Sequence, residues 1–381
     1  MLRKVMPLLL GAAVGLLVGW GAVRLFEQGS GEIEAIRGAA GAFGAWTPAI
    51  VLAAAALMAM FAILLHEFGH ILGALAVRSV VTRLYWGPFI VLFPERRIRF
   101  TFRNKWFFGA MQADLQPYRD EASFRQAIRA QRFVSAAGPA FSLLTGLAAY
   151  VFAPQLWSLA GLYAVLSIGI GLATLLSDGV NTVLLGRRNH ALVLGWTVLI
   201  QGKRIDEDKL AFLQTAARAY LRELAATPPK SAGAGRELND LYVLYYVKWM
   251  GGREEEAGVR QLTAEAEAAW NEASAAKLPK ARRDALLMVL GEEVVRLQGK
   301  REEEQAQALY ARLEPHSGSS GKPSPLLLKA RAVVQRQDGP AAEYLRWIRS
   351  LSGDVASYGV FLRIEEQQLR RGGLLNNEGG I

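Results

Sequence analysis

The sequence predicts a mainly α protein: a polytopic membrane helix bundle of about four transmembrane helices with a small membrane-surface β-segment, followed by a soluble α-helical, repeat-like domain. Three observations predict this. Four segments are apolar over the length a bilayer requires, and a run of β-branched and aromatic residues separates two of them. Beyond them the chain turns charge-rich, with a helical pattern.

The division is plainest in the charges. Of the 44 Lys/Arg and 34 Asp/Glu, 18 and 9 lie in residues 1–203, leaving 26 against 25 in the remainder. The net charge of +10 therefore belongs almost wholly to the apolar half. A basic balance can mark a nucleic-acid binder. Here the arginines flank apolar runs, where the positive-inside rule and anionic lipid account for them, so membrane lipid is expected as a partner and nucleic acid is not. The chain has no cysteine, which excludes disulfides and thiolate metal sites.

The four segments run roughly from Val5 to Phe26, Trp46 to Val77, Phe133 to Phe152 and Trp157 to Leu185. Each meets the requirement of about 20 apolar residues. The first follows MLRK and lacks a small-x-small cleavage site, so it is read as a retained anchor rather than a signal peptide. MLRK places the N-terminus in the cytosol and the Glu-bearing 27–45 loop outside. The 78–132 connection carries 11 Arg/Lys against 4 acidic residues and returns to the cytosol. The last two spans turn at 153–155 and end at GRRNH (186–190), which leaves the C-terminus cytosolic.

Within the connection, RSVVTRLYWG, FIVLF, RRIRFTF and WFFGAMQADL read as three or four short strands at the membrane surface (79–112). An amphipathic helix over about Arg119 to Arg132 leads into the third span. The boundaries follow: 1–45 anchor and external loop, 46–200 membrane core, 201–371 cytosolic helical domain, 372–381 flexible tail. In the helical domain, three helix–turn–helix junctions centre on Gly252, Gly299 and Gly339 and are similar to tetratricopeptide-like pairs, although their spacing is irregular. Stacked pairs of this kind offer a groove to a cytosolic peptide or protein partner; the plainer reading is a packed helical cap.

The chemistry sits in FAILLHEFGHILGALAV (61–77). On a helix, His66 and His70 share one face a turn apart, and Glu67 projects from nearly the same face. Two imidazoles so spaced can ligate one zinc ion while the neighbouring carboxylate reaches its water. Ionisable groups at membrane depth are costly and point to function. The plainer reading is a hydrogen-bonded cluster that holds helices together. A third ligand is needed, and His190 and His316 lie outside the spans; the candidate is Asp178 in LLSDGVNTVLLG. His70 stands 8 residues before Arg78, and Asp178 stands 9 before Arg187. At about 1.5 Å per residue, both lie roughly 12–14 Å from the inner boundary.

These pieces resemble the site-2 protease family of intramembrane zinc metalloproteases. HEFGH (66–70), AGPAFSLLTG (137–146) and SDGVN (177–181) occur in that family's order, over roughly residues 46 to 190. The resemblance implies one Zn2+ per chain held by His66, His70 and Asp178, with Glu67 as catalytic base. Gly138 and Pro139 match the family's Gly-Pro, and Ser142 stands where an Asn is common. The chain departs from the family in IGIGLATLLSDG, which lacks the Asn and Pro often found before the Asp-Gly. The expected activity is hydrolysis of peptide bonds in a transmembrane protein substrate. The alternative is a catalytically silent membrane scaffold that presents the helical domain; Glu67→Gln would leave such a scaffold working. A different metalloprotease family, completing its site with a Glu, finds no such Glu in the spans apart from Glu67.

Overall fold

A computed structural model of the 381-residue chain describes Gly38, Leu374 and residues 47–102, 109–152, 158–202, 205–227, 236–250, 256–272, 278–316, 324–352 and 359–371. The expected first span, the 27–45 loop apart from Gly38, the 153–155 turn and the Gly252 turn lie outside the described residues. The chain divides into two compact units, one closing at Gly186 and the other opening at Arg187, with Tyr118–Ser123 belonging to the second.

The first unit is built on helices α1 (Thr47–Ala76), α2 (Glu121–Phe152) and α3 (Leu159–Thr174), the last continued by a π-helical turn at Leu175–Gly179 and a short α4 (Val180–Leu184). Three stretches are long and apolar enough to cross a membrane: Leu52–Ala76, Glu121–Phe152 and Leu159–Leu184. Their outward side chains stay uncovered by protein, Leu144 at 67% and Phe152 at 84% exposure. Water would penalise so much bare apolar surface, whereas lipid does not.

Lipid gives apolar helices little reason to associate, so contact depends on small residues and shared polar groups. Gly69 and Gly73 of α1 let α2 approach so closely that a Cβ at either would stand 2.5 or 2.6 Å from the Cβ of Phe141 or Ala137. Across α2 and α3, Ser167 donates to the Ser142 carbonyl at 2.9 Å and Tyr163 to Thr145 Oγ1 at 2.8 Å. Ala62 of α1 packs with Leu162 and Leu166 of α3. The π turn begins beyond Thr174, whose hydroxyl donates back to the Ile170 carbonyl.

Four antiparallel strands follow α1: β1 (Val81–Trp86), β2 (Phe89–Leu92), β3 (Arg97–Phe100) and β4 (Ala110–Ala113), in the order β3-β2-β1-β4. Trp86 pairs with Phe89 across the Gly87-Pro88 turn. Gly87 there has φ +54, a left-handed conformation that costs glycine little. Trp86 Nε1 donates to the Met60 carbonyl at 2.7 Å and ties the sheet to α1. The amphipathic lead-in expected before the third span is continuous with it as α2. Its start is closed reciprocally, with the Ser123 N–H donating to Asp120 and the Asp120 N–H to Ser123 Oγ.

The second unit is helical: α5 (Arg188–Gln201), α6 (Glu207–Ala225), α7 (Leu238–Met250), α8 (Ala257–Glu272), α9 (Lys280–Gly299), α10 (Glu303–Leu313), α11 (Leu328–Gln335), α12 (Asp338–Ser352) and α13 (Gly359–Arg371). Trp196, Trp249, Leu213, Leu286 and Leu290 are buried in its core. Lys329 is buried there too, between Glu292 at 2.8 Å and Glu365 at 3.0 Å. The junctions expected at Gly299 and Gly339 are present, between α9 and α10 and between α11 and α12. Gly299 is the last residue of α9 and Gly339 the second of α12, while the left-handed residues are Arg301 (φ 66) and Arg336 (φ 50). Each helix end closes when the next N–H bonds a carbonyl five residues back, Glu302 to Leu297 and Gln337 to Ala332. That pattern usually places glycine at the left-handed position; here arginine fills it. Leu374, in the stretch read as a flexible tail, is buried in a core cluster, and its N–H bonds the Leu369 carbonyl.

Candidate metal centre

In the C-terminal part of the apolar α1, His66, Glu67 and His70 are all buried. One helical turn brings the imidazoles together at 4.9 Å between centroids, nearly perpendicular. α2 holds both rings by their Nδ1 atoms. His70 Nδ1 lies 2.7 Å from the Val134 carbonyl, and His66 Nδ1 lies 3.0 Å from Ser142 Oγ. A carbonyl can only accept, so His70 carries its proton on Nδ1 and, as a neutral ring, has its lone pair on Nε2.

Both Nε2 atoms face Asp178. Its Oδ2 lies 3.4 Å from His66 Nε2 and 3.4 Å from His70 Nε2. One donor atom from each of the three side chains lies within 4.8 Å of the others, a group able to hold a metal ion. The depth match drawn from the sequence brings together the two helices it named. Asp178 reaches the histidines from within the π turn, where the helix widens by one residue. That irregularity occupies the place where the family's Asn and Pro are absent.

Zinc suits this donor set. Bonds of about 2.1 Å at the tetrahedral angle separate two donors by about 3.4 Å, the spacing each His–Asp pair shows. The Asp178 side chain is 31% exposed, which leaves the centre open on that side.

Two glycines shape the pocket. Gly138 of α2 lies against the His70 ring, and Gly109 (φ +102), immediately before β4, lies against Glu67, where an added Cβ would stand 2.6 Å from Oε1. Glu67 Oε2 is buried and has no hydrogen-bond partner among the described residues. A carboxylate oxygen held beside three metal donors can serve as a proton acceptor. The sequence reading did not anticipate Gly109 or the carbonyl of Val134. A glycine isolated in a strand-like run was the available signal for the former. The other described histidines stay outside: His190 lies 3.0 Å from Asn239 within the second unit, and His316 ends a short 3-10 turn after α10.

Helices of this length around two buried histidines and a half-buried Asp178, with the buried Glu67 beside them, define a membrane protein with an HExxH-type centre. The model of peptidase family M50 matches residues 54–320, well over half of the chain, and the chain belongs to that family. The match extends beyond the 46–190 stretch that carried the sequence resemblance. The family is one of intramembrane metalloproteases, zinc-dependent in general. No curated protein and no solved structure matches the chain.

Proposed function

We propose that this chain hydrolyses peptide bonds of membrane-embedded or membrane-anchored protein substrates near the cytosolic face, in regulated intramembrane proteolysis or precursor processing. The observation that carries the reading is the convergence of His66, His70 and Asp178 beside the buried carboxylate of Glu67. His66, His70 and Asp178 would hold one zinc ion, which when bound polarises the scissile carbonyl and acidifies water. Glu67 takes the water proton and delivers it to the leaving amine. Ser142 and Val134 fix the orientation of the two rings.

A helical substrate must unwind before its peptide bond is accessible. The strand that begins against Glu67 is β4, an edge of the sheet. An extended substrate segment pairing with that edge would lie alongside the carboxylate. In this reading the protein is a multi-pass cell-membrane protein with both termini cytosolic, and its helical domain receives a cytosolic peptide or protein partner. The test is cleavage of a model membrane substrate by wild type and by Glu67→Gln in matched vesicles. Loss of cleavage in the variant with metal retained supports the reading. Equal cleavage by the two proteins sinks it.

A further inference from the structure

At the arginine-rich end of the spans, residues at the end of α1 and along α2 line a cleft of about 440 Å³ in the first unit. Its rim carries Arg78 and Arg129, with Gln116 and Gln126, and its wall is formed by Val77 and Phe133. Arg78 is fixed at the end of α1 with φ 56, and the Ser79 N–H bonds the Ala74 carbonyl at 2.8 Å. Gln116 is fixed as well, its amide donating to the Val77 carbonyl. The side chains of Arg78, Arg129 and Gln126 have no hydrogen-bond or ion-pair partner among the described residues, in a chain that pairs many of its other arginines. Two unpaired guanidiniums on one cleft form a ready anion site, and planar guanidinium suits phosphate in particular.

The surroundings specify which anion. Ala76 ends one membrane-length stretch, and Phe133, 53% exposed, lies near the start of the apolar part of another. The charged rim therefore lies at interfacial depth with apolar wall beneath it. A soluble phosphate would use only the rim; an amphiphile would use both. We infer that this cleft binds the phosphate head group of an anionic phospholipid, with the acyl chains along Val77 and Phe133. Phe133 immediately precedes Val134, whose carbonyl holds His70. A bound lipid would thus brace the junction between the helix bearing the imidazoles and the helix that orients them.

Basic residues near a bilayer surface each favour anionic lipid by about 1 kcal/mol, so two should favour it roughly 10- to 30-fold. The experiment is lipid retention by the purified full chain, read by native mass spectrometry after exchange into mixed phosphatidylglycerol and phosphatidylcholine. Wild type should retain phosphatidylglycerol with that preference, and Arg78→Gln/Arg129→Gln should lose it. Arg97→Gln/Arg99→Gln, on the exposed strand β3, should keep it. A double variant at 78 and 129 with unchanged preference overturns the inference, as does an equal loss in the β3 control. Competition on unmodified protein is independent of any variant. Millimolar inorganic phosphate or glycerol phosphate should leave the lipid in place, and displacement by either would make this a soluble-anion site and overturn the lipid assignment.

Discussion

Gly138 stands directly against the ring of His70: a methyl group on its Cα would lie 2.3 Å from Nε2. The nitrogen turned toward Asp178 therefore depends on a hydrogen atom at position 138. Gly138→Ala must displace the imidazole, because the α2 backbone is held by packing on both sides. Displaced ligands and ligand supports typically lower metal affinity by about 10- to 100-fold. Chelator competition for bound zinc, read beside the cleavage rate, should show both falling together.

The β4 edge gives a second expectation. Along an antiparallel edge strand, alternate residues direct their N–H outward. Proline at Ala110 or at Met111, tried in turn, removes an outward N–H in only one of the two variants. If substrate pairs with this edge, one variant should cleave at least several-fold more slowly with zinc content unchanged. Equal rates in both variants would exclude pairing there.

A third expectation concerns acid stability of the helical unit. Glu293 receives Lys248 at 2.6 Å and Arg296 at 2.8 Å. Burial opposes its charge, yet the two cations hold its carboxyl at about 2, below the ordinary 4.5. A carboxyl depressed in the folded state stabilises the fold above its unfolded value, and the gain disappears as pH falls from 4.5 toward 2. The shift corresponds to roughly 3 kcal/mol. Glu293→Gln should lower unfolding stability by about that amount at neutral pH. Denaturant titrations of the two proteins across this pH range should converge toward the acid end.

The left-handed arginines give a fourth. An L-residue with a Cβ pays about 1–2 kcal/mol in this conformation, which glycine avoids. Arg301, at φ 66, has no ion pair among the described residues. Arg301→Gly should raise the unfolding midpoint of the full chain by a few degrees, the effect of about 1 kcal/mol. Arg301→Ala, which keeps the Cβ, should not.

Much of the membrane unit was legible because its constraints are local or imposed by the bilayer. HEFGH needs only helical spacing, and the pairing of Asp178 with His70 follows from counting residues to the nearest boundary arginines. β-branched and aromatic runs broken by Gly-Pro announced the sheet. What remained hidden depends on partners far along the chain. Val134 lies 64 residues from His70, Ser142 lies 76 from His66, and no local pattern states either contact. The π turn under Asp178 has no periodic signature either. In the second unit, Gly299 and Gly339 flank the turns they mark, and arginines occupy the left-handed positions. Composition assigns those positions to glycine only on average.

The central claim is that His66, His70 and Asp178 hold one ion. It is tested most directly by zinc content per chain in wild type and in Asp178→Ala, purified in parallel and shown to be equally folded. Near-stoichiometric zinc in wild type, lost together with cleavage in the variant, is the expected result. A variant that retains its full zinc, or a folded and cleaving wild type that contains none, would contradict it.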